Sequence, residues 1–503
     1  MASTFAVTRN HLIFGLCLPL AVLMGYLLAE PLESTSLTVL LMIATVLIVP
    51  VLLRWYHPLL ILSWNMTMYV AYLKGSPQLW ALMSLIGLFF AVLNRSINPD
   101  FRFAQVPAIS WALLALTLVV IATAMATGGI GLRVLGSQTV GGKGYFYVMA
   151  AVAGYFALSS RAIPKHRVKL CVGLFFLPGI TAIIGRLAQA AGSGASFLFA
   201  FFPPDFLPDE IGADSSFELG ITRTGGIASV AMAIYCWVLA RHGVQGVFNF
   251  TRPWRMAIML AAMIIGVFGG FRSALLLMSM IFLVLFCLEK LWGTRVFPIL
   301  VVCMTVGGAC LVGFADKLPL TVQRAVSFLP LDIDPATRAD AQDSTEWRLE
   351  MWKAMLPQVP QYLLLGKGFN VSGTELFLNQ ESTYRGLAAR WEGAALAGDY
   401  HSGPLSVIIP FGIWGLAAFV WLLVAGGRFL SRNFRHGAPE LRQINAFLLA
   451  LFLARIVFFI FVFGTLNGDL YYFTGILGFS VALNVSGQQP KPSPGRVLSP
   501  ADA

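Results

Sequence analysis

The sequence predicts an all-α polytopic membrane protein with about fourteen transmembrane helices and one large loop outside the cytoplasm. Hydrophobic residues make up 58% of the 503 and charged residues only 11%, with a mean hydropathy of +0.78. The solvent for such a chain is lipid. Apolar stretches approaching the roughly 20 residues that cross a bilayer recur along its length. The basic excess, a formal charge of +11, collects in alternate loops, as the positive-inside rule requires.

The spans fall near 12–29, 36–53, 58–73, 78–93, 107–127, 145–160, 169–188, 225–240, 256–270, 273–289, 296–315, 402–424, 444–463 and 470–486. The first is followed by "AEPLEST", with no small-residue cleavage site, and reads as a retained helix. Basic loops holding Arg54, Arg95, Arg161, Lys165, Arg241, Arg255, Lys290, Arg428 and Arg435 all fall on one side of this topology. That side is cytoplasmic and takes both termini. The charge is thus mainly a topology signal, with attraction to anionic lipid second, and not a nucleic-acid footprint.

The chain divides into helices over 1–315, a large extracytoplasmic loop over 316–400, further helices over 401–486, and a Pro- and Ser-rich cytoplasmic tail over 487–503. All six cysteines, Cys17, Cys171, Cys236, Cys287, Cys303 and Cys310, lie in spans, where packing is their expected role. Within the loop, "DSTEWRLEMWKAML" reads as an amphipathic helix with Asp343 as its N-cap. Trp347, Met351, Ala354 and Met355 recur at helical spacing along it.

Five histidines, His11, His57, His166, His242 and His436, fall on the cytoplasmic side, which leaves His401 as the single imidazole outside. Ser402 caps the following helix and Pro404 suits its first turn, so His401 sits just before the span. At roughly 100° per residue, Gly412 and Gly415 share the His401 face. They form a seam where another helix packs closely. On residues alone, an interfacial histidine over a packing seam is the commoner explanation of this pattern.

Arg133, Arg186, Arg223, Arg272 and Arg348 lie on or near the outer face, against the positive-inside trend. Guanidinium forks match phosphate oxygens, which suits a diphosphate. Snorkelling or a structural partner explains any one of them equally well. Arg272 stands out, in the short break "GVFGGFRSALLL" between two spans. For Arg455, deep in "LARIVFFIF", structural pairing with Asp469 is favoured. The stretch "GSQTVGGKGY" is not a phosphate-binding Walker loop, because Gly144 follows Lys143 where Ser or Thr is needed.

Together these pieces resemble the O-antigen ligase family of bacterial membrane glycosyltransferases, which includes O-antigen polymerases and protein O-glycosyltransferases. The family carries His, then Asn, Ser or Gln, nine residues, and Gly-x-x-Gly. His401-Ser402 and Gly412-Ile413-Trp414-Gly415 fit it position for position. "RTGG" at Arg223 looks like its Arg-x-x-Gly, and "GGFRSA" like its Gly-Ser-Arg turn, with Phe271 in place of Ser. "STEWRLEMW" followed by "GKGF" is similar to its Trp-Arg helix and Gly-x-Gly turn.

The resemblance implies a GT-C-like, inverting glycosyltransferase of the inner membrane that needs no metal or other cofactor. His401 would be its general base and Arg223, Arg272 and Arg348 its donor diphosphate ligands. The implied partners are a polyprenyl diphosphate-linked glycan, a glycan or lipid acceptor, and membrane lipids. A polymerase with the same donor, or a transporter of lipid-linked glycan, are the alternatives.

Overall fold

The computed structural model describes residues 34–71, 73–97, 103–104, 106–131, 141–203 and 224–485, together with positions 19, 21, 22 and 25. Arg133, Arg223, the span at 12–29 as a helix, and the tail lie outside the described residues. The chain divides into two units, Met1–Tyr56 and His57–Ala503. In the first, the helix that begins at Ser34 exposes Leu47, Ile48, Val51 and Trp55. The candidate site lies wholly in the second.

Among the described residues the structure is helical apart from turns, irregular connections and isolated bridges such as the antiparallel one between Tyr69 and Gln78. Seven helices are long and apolar enough to cross a membrane: Leu79–Ile97, Pro107–Thr127, Lys165–Ala191, Gly225–Val247, Val296–Lys317, Gly403–His436 and Pro439–Phe461. Shorter apolar helices cover Leu47–Ser63, Trp254–Phe268 and Arg272–Leu288. This is a polytopic membrane protein. Val296–Lys317 shows why lipid must be its solvent. Val302, Met304, Val306 and Val312 are all exposed, a large apolar surface that water would not tolerate.

One expected span is not a helix throughout. The helix entering 58–73 stops at Ser63, and the following backbone finds distant partners instead. The Asn65 amide donates to the Phe175 carbonyl at 2.7 Å, Thr67 N–H to Thr181 Oγ1 at 3.0 Å, and Tyr69 N–H to the Phe201 carbonyl at 2.8 Å. Those bonds take the place of part of the local ladder, as buried backbone away from water requires.

The long insertion after Val296–Lys317 folds into the helices Leu320–Ala325, Pro335–Met355, Val359–Tyr362, Gly373–Tyr384 and Glu392–Leu396. The amphipathic helix begins at Pro335, nine residues before Ser344 and earlier than its tryptophan pattern indicates. Its N-cap is Asp334, whose carboxylate accepts from Ala336 and Thr337 N–H ahead of Pro335 at the first helical position. Asp343 is therefore mid-helix, and its carboxylate takes both arms of the Arg390 guanidinium, at 2.7 and 2.9 Å. Met351 and Met355 pack with Tyr400, Leu405 and Ile409, fastening this helix to the start of Gly403–His436.

Gly373–Tyr384 opens with a capping box: Ser372 Oγ accepts from Glu375 N–H and Glu375 Oε2 accepts from Ser372 N–H. Burial pushes the Glu375 carboxyl up, but the Ser372 amide and the Lys367 ammonium at 3.3 Å outweigh it and hold the group below its ordinary range.

Candidate functional site

The site is built where the loop helices meet the start of Gly403–His436. Ser402 is the N-cap in an extended conformation, and its carbonyl accepts from Ser406 N–H at 2.9 Å; its hydroxyl makes no cap bond. Just before it, His401 adopts a left-handed backbone with φ +48°. For a residue with a Cβ this costs about 1–3 kcal/mol and needs a clamp. Asp399 supplies it, since its Oδ1 accepts from His401 N–H at 3.1 Å, the turn that an aspartate makes with the amide two residues on. The same oxygen lies 3.0 Å from His401 Nδ1, alongside the ring nitrogen but not aligned on it as a hydrogen bond.

The imidazole stands edge-on between two aromatic rings, Trp347 at 4.9 Å and 81° and Phe463 at 4.8 Å and 89°. Its side chain is 20% exposed, so it is held and still reachable. Trp347 comes from Pro335–Met355, and the same helix donates Trp352 Nε1 to the Tyr400 carbonyl at 2.9 Å. The Arg348 guanidinium lies 6.0 Å from the centre of the Phe463 ring that faces His401. Arg348 and His401 thus share one neighbour.

Motifs far apart in sequence converge here. Thr224 N–H, in the "RTGG" segment, donates to the Gly269 carbonyl at 3.1 Å, while its hydroxyl accepts from Arg186 at 2.8 Å. The turn after Gly269 is held by Arg324, whose Nη1 donates to the Gly270 carbonyl at 3.1 Å and whose Nε forms a buried ion pair with Asp340. Arg272 then donates to the Ala341 carbonyl at 2.8 Å and to Ser344 Oγ at 3.2 Å. These groups lie about two turns and one turn before Arg348 on the same helix. The Arg272 fork is therefore engaged in holding the helix that carries Trp347 and Arg348.

Periodicity places Gly412 and Gly415 on the His401 face as a seam for another helix, and the structure corrects this. Gly412 has φ +61° and breaks Gly403–His436, so the helical phase is not carried past it. What approaches is main chain: a Cβ on Gly412 would stand 2.6 Å from the Leu363 carbonyl oxygen. Ile413 N–H donates to that carbonyl at 2.7 Å, Lys367 N–H to Ile409 at 2.8 Å and Gly368 N–H to Pro410 at 2.9 Å. The "GKG" turn is thereby hydrogen-bonded into the break, with Gly366 against the Pro410 carbonyl. Gly415 packs under Phe411 of its own helix, not under a neighbour.

Two cavities adjoin the neighbours of His401, one at Phe463 and one at Asp399. The first, about 470 Å³, is lined by Phe463, by Phe271 and Ser273 on either side of Arg272, and by Arg455, Tyr471 and Tyr472. The expected Arg455–Asp469 pair is present but loose, at 3.9 Å. The guanidinium instead lies 3.7 Å over the Tyr472 ring, and its Nε is buried without a hydrogen-bond partner. The second cavity, about 850 Å³, is lined by Asp399 among others and shares the Tyr471 wall.

Asp399 and Phe463 are site residues that residue patterns did not single out. An aspartate two residues before a histidine at a helix start carries a local turn signal. Phe463, in one more apolar run, carries none. Among the described residues, no group of three or more His, Cys, Asp or Glu side chains is placed to hold a metal ion. The five described cysteines are free thiols.

A helical membrane protein with a clamped histidine at the head of a broken helix, close to a cavity that carries an arginine, has the outline of a membrane enzyme. Residues 256–420 match the family model described as O-antigen ligase, which supports assignment of the chain to that family. The matched segment includes Arg272, Arg348, His401, Gly412 and Gly415, and its family is of the O-antigen ligase or polymerase type of membrane enzyme. No curated protein matches the chain.

Proposed function

We propose that the protein transfers a glycan from a polyprenyl diphosphate donor to an acceptor hydroxyl on the outer side of the inner membrane. The observation that carries this reading is His401, clamped by Asp399, with its neighbours Phe463 and Asp399 each lining a cavity. His401 takes the proton of the acceptor hydroxyl as its oxygen attacks the anomeric carbon. The carbon–oxygen bond to the diphosphate breaks, and the leaving phosphate oxygen keeps the electron pair. A single in-line displacement of this kind inverts the anomeric centre. Asp399, beside Nδ1, orients the ring and stabilises the imidazolium that forms.

The departing diphosphate is a dianion or more, and arginines match it bidentately in a site where water is scarce. Arg348, sharing Phe463 with the base, and Arg455, with Nε unbonded in the first cavity, would meet that charge. Arg272 contributes its charge at the rim, between the cavity residues Phe271 and Ser273. Arg223 joins this set from the family resemblance. The basic end of Gly403–His436, with Arg428, Arg432 and Arg435, is opposite His401 and supports an outward-facing site.

The test is transfer in membranes supplied with lipid-linked donor and acceptor, with mass spectrometry of both glycan pools. The reading requires transferred glycan that disappears in His401→Ala. Transfer at the wild-type rate in that variant overturns it.

A further inference from the structure

The second cavity has a chemistry unlike the first. At about 850 Å³ it is at the upper end of the range for small-molecule sites. Its wall is aromatic and already assembled. Trp80 stacks on Tyr471 at 4.7 Å and 19° and tilts against Tyr147 at 5.8 Å. Gln78 ties the wall together: its Oε1 accepts from Trp80 Nε1 at 2.6 Å, its Nε2 donates to Tyr69 Oη at 3.0 Å, and its backbone N–H donates to Tyr147 Oη at 3.3 Å.

Facing that wall are Asn379, Gln380 and Asn467, with Lys143 and Asp399. The side-chain amides of Asn379, Gln380 and Asn467, and the Lys143 ammonium, make no hydrogen bond to any described residue. Each amide offers two donors and an acceptor, so the cavity presents spare capacity of both kinds on three side chains. Among its described residues the one lysine and the one carboxylate cancel in charge. Among the described residues no arginine lines this cavity, whereas Arg455 lines the other.

Aromatic faces opposite unbonded amides, at zero net charge, fit a polyol ring. A pyranose lays its C–H face on an aromatic side chain and its hydroxyl rim against groups that both donate and accept. A diphosphate would call for guanidinium, and a polyprenyl chain would leave the amides unsatisfied. We propose that this cavity is a saccharide-binding site feeding His401 through Asp399, the residue that both lines it and clamps the histidine. The proposal rests on the transferase reading and adds to it where a sugar ring lies. That ring belongs either to the acceptor or to the donor glycan.

The experiment uses the full chain in nanodiscs, with Gln380→Ala, Asn467→Ala and Asn379→Ala, each checked for an unchanged melting temperature. Two probes are compared by saturation-transfer NMR: core oligosaccharide released from the host's lipopolysaccharide, and glycan released by mild acid from its lipid-linked precursor. Steady-state KM is measured for both full substrates. Losing one hydrogen bond predicts binding weakened about 5–10-fold for one probe, with the matching KM raised by the same factor and kcat nearly unchanged.

If core oligosaccharide is the probe affected, the cavity holds the acceptor; if the precursor glycan is, it holds the donor. If wild-type protein binds a probe but transfers nothing, and the variants lose that binding, the transferase reading falls and the saccharide site stands. The proposal is overturned if wild-type protein binds neither probe, or if all folded variants bind and turn over as wild type does. A variant that does not fold leaves the other two to decide.

Discussion

One oxygen of Asp399 serves His401 twice, accepting from its backbone N–H at 3.1 Å and lying 3.0 Å from its ring Nδ1. The first contact holds the residue at φ +48°, and the second places a carboxylate beside the imidazole. Position and chemistry of the base are thus coupled through one side chain.

That coupling separates two variants. His401→Ala is expected to lower kcat for glycan transfer by about 10²–10⁴-fold, the usual worth of a general base, with donor binding little changed. Asp399→Asn keeps an acceptor for the His401 amide while removing the charge, so a smaller fall in kcat is expected without loss of stability. Radiolabelled glycan transfer and thermal unfolding in detergent measure the two effects separately.

Arg324 and Asp340 form an ion pair with both side chains 4% exposed. Removing one partner of a buried pair strands the other charge, at a cost of roughly 3–5 kcal/mol. Asp340→Ala should therefore lower thermal stability by that order and free the Gly269–Gly270 turn. Hydrogen exchange should rise in that turn and in Pro335–Met355, with activity falling alongside.

Gly412→Ala tests the broken helix. A methyl there meets the Leu363 carbonyl and must hold a left-handed backbone, together about 1–3 kcal/mol or more. Faster proteolysis within 359–372 and a lower melting temperature are expected. Gly415→Ala instead crowds only the Phe411 side chain beside it. If Gly412→Ala melts as wild type does, the close approach described for the "GKG" turn is wrong.

Glu375 carries a pH signature. Its carboxyl is held below the ordinary range, so the native state favours the ionised form more than the unfolded state does. The resulting support for Gly373–Tyr384 is complete above the unfolded value of about 4.5 and is lost as pH falls through the lowered folded value. Exchange protection of residues 373–384 should drop over that acid window in wild type. Glu375→Gln should show low protection on both sides of it.

Arg455→Gln should raise the donor KM by about tenfold or more, as expected when a charged hydrogen bond to phosphate is lost. Competition by polyprenyl diphosphate should weaken in parallel, while acceptor KM stays near wild type. An unchanged donor KM would return Arg455 to a structural pairing with Asp469.

Much was legible from residues alone. Apolar run length and basic loops indicated a polytopic helical membrane protein, and the Ser402–Pro404 pattern placed His401 at a helix start. The order of "RTGG", "GGFR", the Trp-Arg helix, "GKG" and the histidine pointed to the family whose model matches residues 256–420. These are local or one-dimensional signals, set by hydropathy, capping and spacing. The Asp334 cap was available too, since Asp-Pro is a start signal, but the tryptophan periodicity drew the boundary later.

Tertiary structure decided the rest. A smooth 100° step cannot foresee that Gly412 leaves the helix, because the main chain of Leu363 to Gly368, distant in sequence, supplies the hydrogen bonds that make the break stable. Nor can it foresee that Arg272 is turned onto Ala341 and Ser344, or that Phe463 closes over His401. Composition determined that the chain lives in lipid, and a local capping pattern determined where Gly403–His436 starts. Long-range hydrogen bonding and packing, which have no period in the sequence, determined which side chains face one another across the two cavities.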